Sequence, residues 1–149
     1  MSNIQIFQRI RDIRDREKQE SQKVHKEAVD TFEKQAELLY EALRKKEEAV
    51  DKFNQTLSEK AVEANAIVQH QRYIKRLDER IDSLQPAVQK ARVHMQRSQA
   101  NLSAAHIEVK KFDTLIQNKE EKQLNWFKSE ENRNMDELSM QQYLNFQNR

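Results

Sequence analysis

The chain contains no cysteine, no glycine and a single proline in 149 residues. Without Cys there is neither a disulfide framework nor a thiolate nucleophile, which fits a reducing compartment. Without Gly there is no loop to cradle a phosphate and no residue that takes positive φ at low cost, so the tight turns of a sheet protein are excluded as well. Aromatics make up 7% and hydrophobic residues 36%, too little for a thick core. No apolar run approaches the ~18 residues of a membrane span, and the N-terminus lacks the apolar stretch of a signal peptide. Net charge is +2, from 27 basic and 25 acidic residues, so no strong field calls for nucleic acid. The expectation is a soluble intracellular protein.

What is abundant is Glu, Lys, Gln, Arg, Ala and Leu, the strong helix formers, with 35% of residues charged. High charge with few aromatics also marks disorder, and periodicity decides between the two. Val29, Phe32, Ala36, Leu39, Leu43, Lys46, Val50, Phe53 and Leu57 alternate at three and four residues, with only Lys46 polar. A second series runs Ile67, His70, Ile74, Leu77, Ile81, Leu84, Val88, Ala91, Met95, Ser98, Leu102, Ala105, Val109, Phe112 and Ile116, and continues through Lys119 and Gln123 to Trp126. This spacing is that of a coiled-coil seam. A disordered chain has no reason to keep it.

The two series are out of phase, and phase is lost in LSEKAVEANAI, between Leu57 and Ile67. Phase is kept across Pro86, which falls on the outward f position, where a kink points away from the seam. The spacing therefore predicts an all-α protein, a long antiparallel two-helix coiled-coil hairpin with its turn near residues 58–62. Helix 1 spans about 4–57 and helix 2 about 62–130, with an extension over 131–149, and the whole of 1–149 forms one domain. Each arm is roughly 80 Å long at 1.5 Å per residue. Pairing a with d positions about Lys60 sets Phe53 against Ile67, Leu43 against Leu77, Ala36 against Leu84, Val29 against Ala91 and Gln22 against Ser98. In the extension, Ser139 to Gln142 matches a capping box and marks the start of a short last helix.

Catalytic chemistry has no foothold. The four histidines, His25, His70, His94 and His106, form no i, i+4 pair, and two of them fall on the seam. Carboxylates on helix faces pair locally with Lys and Arg, and a two-helix hairpin encloses no pocket. The expectation is no enzyme, no metal and no cofactor.

Three surface features remain. Arg72, Arg76 and Arg80 recur every four residues beside Tyr73; they read as a solvated stripe offset by Asp78, Glu79 and Asp82, or as a docking face for an acidic or mixed protein surface. Residues 83–107 contain no acid but include Lys90, Arg92 and Arg97, which fits chance composition as readily as function. Trp126 reads either as seam packing at a d position or as an anchor for a partner, and Phe127, off the seam, reads as an anchor.

FQRIRDIRDREK, AELLYEALRKKE, HQRYIKRLDERI, NLSAAHIEVKKFD and MDELSMQQYLNF, in this order and spacing, resemble the flagellar export proteins of the FliJ family, most of all those of Bacillus and its relatives. The resemblance covers essentially the whole chain. It implies a soluble part of the flagellar type III protein export apparatus, folded like the gamma-subunit stalk of rotary ATP synthases. It also implies binding at the centre of the hexameric export ATPase FliI, promotion of ring assembly and hydrolysis, and contact with the cytoplasmic domain of the export gate protein FlhA. FliH and export chaperones are further implied partners, and the cytoplasmic membrane at the flagellar base the implied location, without insertion.

The family's gate-binding pattern, Phe/Tyr-x-x-x-Leu, falls on Tyr73 and Leu77, with Arg72, Arg76 and Arg80 beside them. The stalk analogy points to Phe7, Arg9, Arg11, Arg14, Lys122, Trp126 and Lys128 for the ATPase ring. The turn departs from the family in lacking the glycine that many relatives carry there. Alternatives are the equivalent stalk of a virulence-type secretion system, a chaperone hairpin of prefoldin type, and a structural dimer of straight helices whose phase change is a stutter.

Overall fold

In the computed structural model, which describes residues 3–148, two α-helices account for nearly all of the chain: α1, Asn3–Leu57, and α2, Ala64–Gln147. They pack against each other antiparallel as a helical hairpin, and no strand occurs among the described residues. The packing falls into two units, Glu20–Ser103 and Met1–Gln19 with Ala104–Arg149.

The first unit holds the turn, over residues 58–63. No described residue has positive φ, so the missing glycine is not needed. α1 ends instead by tightening: the amide of Ser58 is shared between the carbonyls of Asn54 and Gln55, both at 3.2 Å, and Glu59 donates to Thr56 at 3.2 Å. The Ser58 hydroxyl donates to the Gln55 carbonyl at 2.7 Å. α2 opens with Ala66 and Ile67 both donating to the carbonyl of Glu63.

The seam face of α2 is the one its spacing predicts, with Leu77, Ile81, Val88, Ala91 and Ser98 buried in this unit. The face of α1 is rotated from the expected one. Leu43 is 45% exposed, whereas Ala28, Ala42 and Ala49 are buried, Ala42 to 2%. These alanines recur at intervals of seven or fourteen, one position before Val29, Leu43 and Val50. A methyl side chain lets two helix backbones approach, and the larger residues of α2 then fill the space above it. The expectation followed the larger apolar side chains and so leaned to one side of the true stripe.

The register differs too. Phe53 meets His70, with ring centroids 5.8 Å apart, rather than Ile67. Ser98 meets His25 rather than Gln22, Nδ1 to Oγ at 2.9 Å. Lys46 reaches Asp78 at 2.6 Å, next to Leu77, so Leu43 is not the residue level with Leu77. In this unit each partner on α1 lies about one helical turn further on than expected. The same offset sets Ala42 level with Ile81 and Ala49 level with Ile74, small against large.

Polar seam members are satisfied. Ser98 has one hydroxyl proton, and it goes to the Met95 carbonyl at 2.8 Å. His25 Nδ1 must therefore be the donor to Ser98 Oγ. Thr56 repeats the arrangement: its hydroxyl donates to the Lys52 carbonyl at 2.9 Å and lies 3.4 Å from His70 Nε2. Lys46, the one polar interruption of the first series, lays its stem along the seam and carries its ammonium out to Asp78.

α2 runs through Pro86 on its exposed side without interruption. The ring removes the amide that would donate to the Asp82 carbonyl, and both Asp82 and Pro86 are exposed.

In the second unit Val109 and Ile116 of α2 are buried. Phe7 lies between Phe112, at 6.3 Å between ring centroids, and the Lys119 ammonium, at 5.1 Å. Arg11 bridges to Asp113 at 3.3 Å. The separate short helix expected from Ser139 is not separate: Ser139 lies inside α2, which neither stops near 130 nor breaks before Gln147.

Two outcomes follow for stability, both read by urea unfolding. Pro86→Ala restores a helix amide and raises stability by up to about 3 kcal/mol. Ser98→Ala leaves the half-buried His25 N–H without its acceptor and costs about 1 kcal/mol, while the double change His25→Leu with Ser98→Ala recovers that loss.

Candidate protein-binding surfaces

The residues singled out near the turn all stand on one stretch of α2, where spacing of three and four residues brings side chains to one face. Arg72, Arg76 and Arg80 are exposed, and the Arg76 guanidinium lies 5.9 Å from the centroid of the Tyr73 ring. That stacking holds the half-turned-out Tyr73 ring flat beside the cationic row. Gln69, Arg72, Lys75, Arg76 and Glu79 line a shallow open groove of about 550 Å³. Three cations against one carboxylate make it a positive concavity. Its charge suits an acidic or mixed protein surface.

Lys75 and Gln69 were not singled out from the sequence, and Glu79 was read only as an offsetting acid, although the spacing 69, 72, 76, 79 was there to be read. Leu77 differs from its neighbours in being 7% exposed. It sits in the seam, under the face and not on it, and offers almost no surface to a partner.

In the other unit the expected ring-binding residues divide into two sets. Phe7, Arg11 and Arg14 are half-buried and occupied within the unit. Arg11 donates to Asp113 and to Asp12, each at 3.3 Å, and its guanidinium pKa is raised above the ordinary value, first by the Asp113 hydrogen bond. Arg14 Nη1 reaches both carboxylate oxygens of Glu17 at 3.1 Å, while its Nε is buried without a hydrogen-bond partner. Arg9 is exposed.

Lys122, Trp126 and Lys128 are exposed on α2. Lys122 lines a small hollow with Asn3, Ile4, Lys119 and Gln123, so the first described residues of α1 lie alongside this point. Beyond Gln123 no described residue of α1 lines a hollow with α2, and most of the side chains there are exposed. Trp126 is 63% exposed and Phe127 62%, the two rings edge to face at 6.2 Å. Seam packing is thereby removed as the role of Trp126.

Leu124, Met135, Leu138, Met140, Tyr143, Leu144 and Phe146 are also exposed along the same helix. A run of this kind on one helix is a protein-interaction feature. For Trp126, Met140 and Leu144 the sequence signal was the seam spacing that continues past Gln123, and the others lie off that spacing. Of the acid-free stretch 83–107, Arg92 covers the seam, its guanidinium 5.7 Å above the Phe32 ring.

No helix among the described residues is long and apolar enough to cross a membrane. Nor do three or more His, Asp or Glu side chains among them gather where they could hold a metal ion.

A family model for the flagellar FliJ protein matches residues 4–148. The chain belongs to the FliJ family. It is 30% identical over 142 residues to the flagellar FliJ protein of Bacillus subtilis (strain 168), a match that covers 93% of each chain. No solved structure matches it. Family membership makes this a flagellar protein associated with protein export, and the resemblance read from the five quoted segments extends over the same residues.

Leu77 and Tyr73 separate by stability. Leu77→Ala empties a seam position and lowers unfolding free energy by about 2–4 kcal/mol. Tyr73→Ala, on the surface, changes it by less than about 0.5 kcal/mol. Thermal or urea unfolding of the two variants reads the difference directly.

Proposed function

We propose that this protein acts by binding, as the stalk that links the flagellar export ATPase FliI to the export gate at the cytoplasmic face of the flagellar base. What carries the reading is that a FliJ-family helical hairpin presents two distinct docking faces with different chemistry. Near the turn the face is cationic, with Arg72, Tyr73, Lys75, Arg76 and Arg80. On the segment of α2 beyond Gln123 it is apolar and aromatic, with Trp126 and Phe127 prominent.

In this reading the apolar segment enters the centre of the FliI hexamer, together with Arg9, Lys122 and Lys128, and favours ring assembly and hydrolysis. Exposed aromatics supply affinity once a partner excludes water from them. Phe7, Arg11 and Arg14 hold the start of α1 against α2 and so position the segment. The cationic face near the turn meets the cytoplasmic domain of FlhA, with Leu77 supporting it from inside. FliH and export chaperones are further partners of the same assembly. No step requires bond chemistry from this chain.

The test is ATP hydrolysis by FliI of the same organism across a titration of this protein. Saturable stimulation at about stoichiometric amounts or below is the expected result. Trp126→Ala weakens it at least several-fold, whereas Tyr73→Ala leaves it intact and instead weakens binding to the FlhA cytoplasmic domain. An active ATPase that does not respond to the folded protein would overturn the reading.

A further inference from the structure

α2 keeps the seam spacing after α1 has ended beside it. The positions that continue Val109, Phe112, Ile116 and Lys119 are Gln123, Trp126, Glu130, Arg133, Glu137, Met140 and Leu144. On the earlier part of α2 this stripe is the one covered by α1. Here, among the described residues, nothing covers it.

Along the stripe the chemistry runs apolar Trp126, acidic Glu130, basic Arg133, acidic Glu137, then apolar Met140 and Leu144, so a basic and an acidic residue are neighbours at its middle. Two copies paired about a two-fold axis that passes between Arg133 and Glu137, residue i meeting j while j meets i, set these opposite charges against each other twice. Antiparallel pairing with a against d sets Trp126 against Leu144 of the second copy and Arg133 against Glu137 of the second copy, each twice by symmetry. Glu130 then faces Met140, its methylene stem lying on the thioether.

The charges are free to take part. Arg133 Nη1 is 3.9 Å from Glu130 and its Nε is 3.7 Å from Glu137 within the same helix. Both distances are too long for hydrogen bonds, so the guanidinium is not committed to either carboxylate.

We propose that two copies of this chain pair antiparallel through the exposed seam stripe of α2 from Trp126 to Leu144, with reciprocal Arg133–Glu137 contacts at the centre. The occupant of the bare stripe in the free protein is thus a second copy of the same helix. Continuity with the α1–α2 seam and the charge order of the stripe are the grounds for it. Only the outer layers are apolar, so the pairing is weak and reversible, of the small-interface kind. One contact opposes it: Asp136, on the flank of the stripe, comes beside Asp136 of the second copy. Leu124, Met135 and Leu138 stand off the stripe and stay available. The proposal does not depend on the export ATPase, and its failure would leave the stalk reading standing.

Sedimentation analysis of the full-length protein from about 5 to 500 µM tests it. A reversible monomer–dimer equilibrium is expected. Arg133→Glu and Glu137→Arg each weaken association by about tenfold or more when alone, since both place like charges together. An equimolar mixture of these two variants regains the wild-type association, because the mixed dimer sets opposite charges at both central contacts. Local helix pairing within one chain cannot give that rescue by mixing. Asp136→Asn tightens association. Circular dichroism confirms that all variants keep the wild-type helix content. Absence of any concentration dependence, or association that ignores both charge reversals, or a mixture no better than its components, each overturns the proposal.

Discussion

The fold depends on one steric fit: a stripe of small residues on α1 beneath a stripe of large ones on α2. Ala28, Ala42 and Ala49 are among the most buried residues of the chain, while Leu43, beside Ala42, is half in solvent. Alanine contributes little transfer free energy of its own. Its value is that it lets Ile81 and its neighbours be covered by the opposing backbone, and a fully buried side chain of that size contributes about 1.5–3 kcal/mol. A chain with 36% hydrophobic residues can stay folded on this basis because the apolar residues it has are concentrated along one line. The same narrowness leaves most side chains exposed, which is what a protein built to be gripped from outside requires.

A seam of aliphatic residues alone would tolerate sliding by one helical turn, since each a/d layer resembles the next. The polar layers remove that freedom. Among the described residues His25 pairs with Ser98 and Lys46 with Asp78. Moving α2 by one turn would take a half-buried imidazole N–H from its acceptor and set Lys46 against an aliphatic layer, at a cost in each case. The residues that look like defects in the apolar series are therefore the ones that make the register unique. Their tautomers are fixed by the helix backbone, because each hydroxyl has already given its proton to a carbonyl in its own turn.

This explains how far the sequence could be read. The class, the two helices, the passage through Pro86 and the seam face of α2 as far as Lys119 follow from spacing, since large apolar residues mark most of that face. The face of α1 was displaced because alanine carries little hydrophobic weight, and Leu43 and Leu57 outweighed Ala42 and Ala49 in the pattern. The register of residues 20–103 missed by one turn because the turn has no Gly or Pro to mark where α2 begins. Among the site residues, exposure at Arg72, Tyr73 and Arg76 followed from their positions off the seam. The fate of Trp126 did not, because its d position predicts burial only if α1 reaches that far.

The bare segment of α2 has a cost that its own sequence cannot offset. A single helix in water gains little from propensity, and pairs such as Arg133 with Glu137 add only tenths of a kcal/mol. Nine large apolar side chains from Leu124 to Phe146 stand exposed on it, and no local interaction compensates for their hydration. Whatever free energy that surface yields is realised only on contact with another helix or a cavity. In the unit of residues 20–103 the apolar groups are largely satisfied by the seam, and what remains on the face near the turn is charge. The two faces should accordingly behave differently in salt. Binding through Arg72, Lys75 and Arg76 weakens as ionic strength rises and the Debye length falls below about 10 Å, whereas binding through Trp126 and Phe127 persists, because burial of apolar surface carries no such screening.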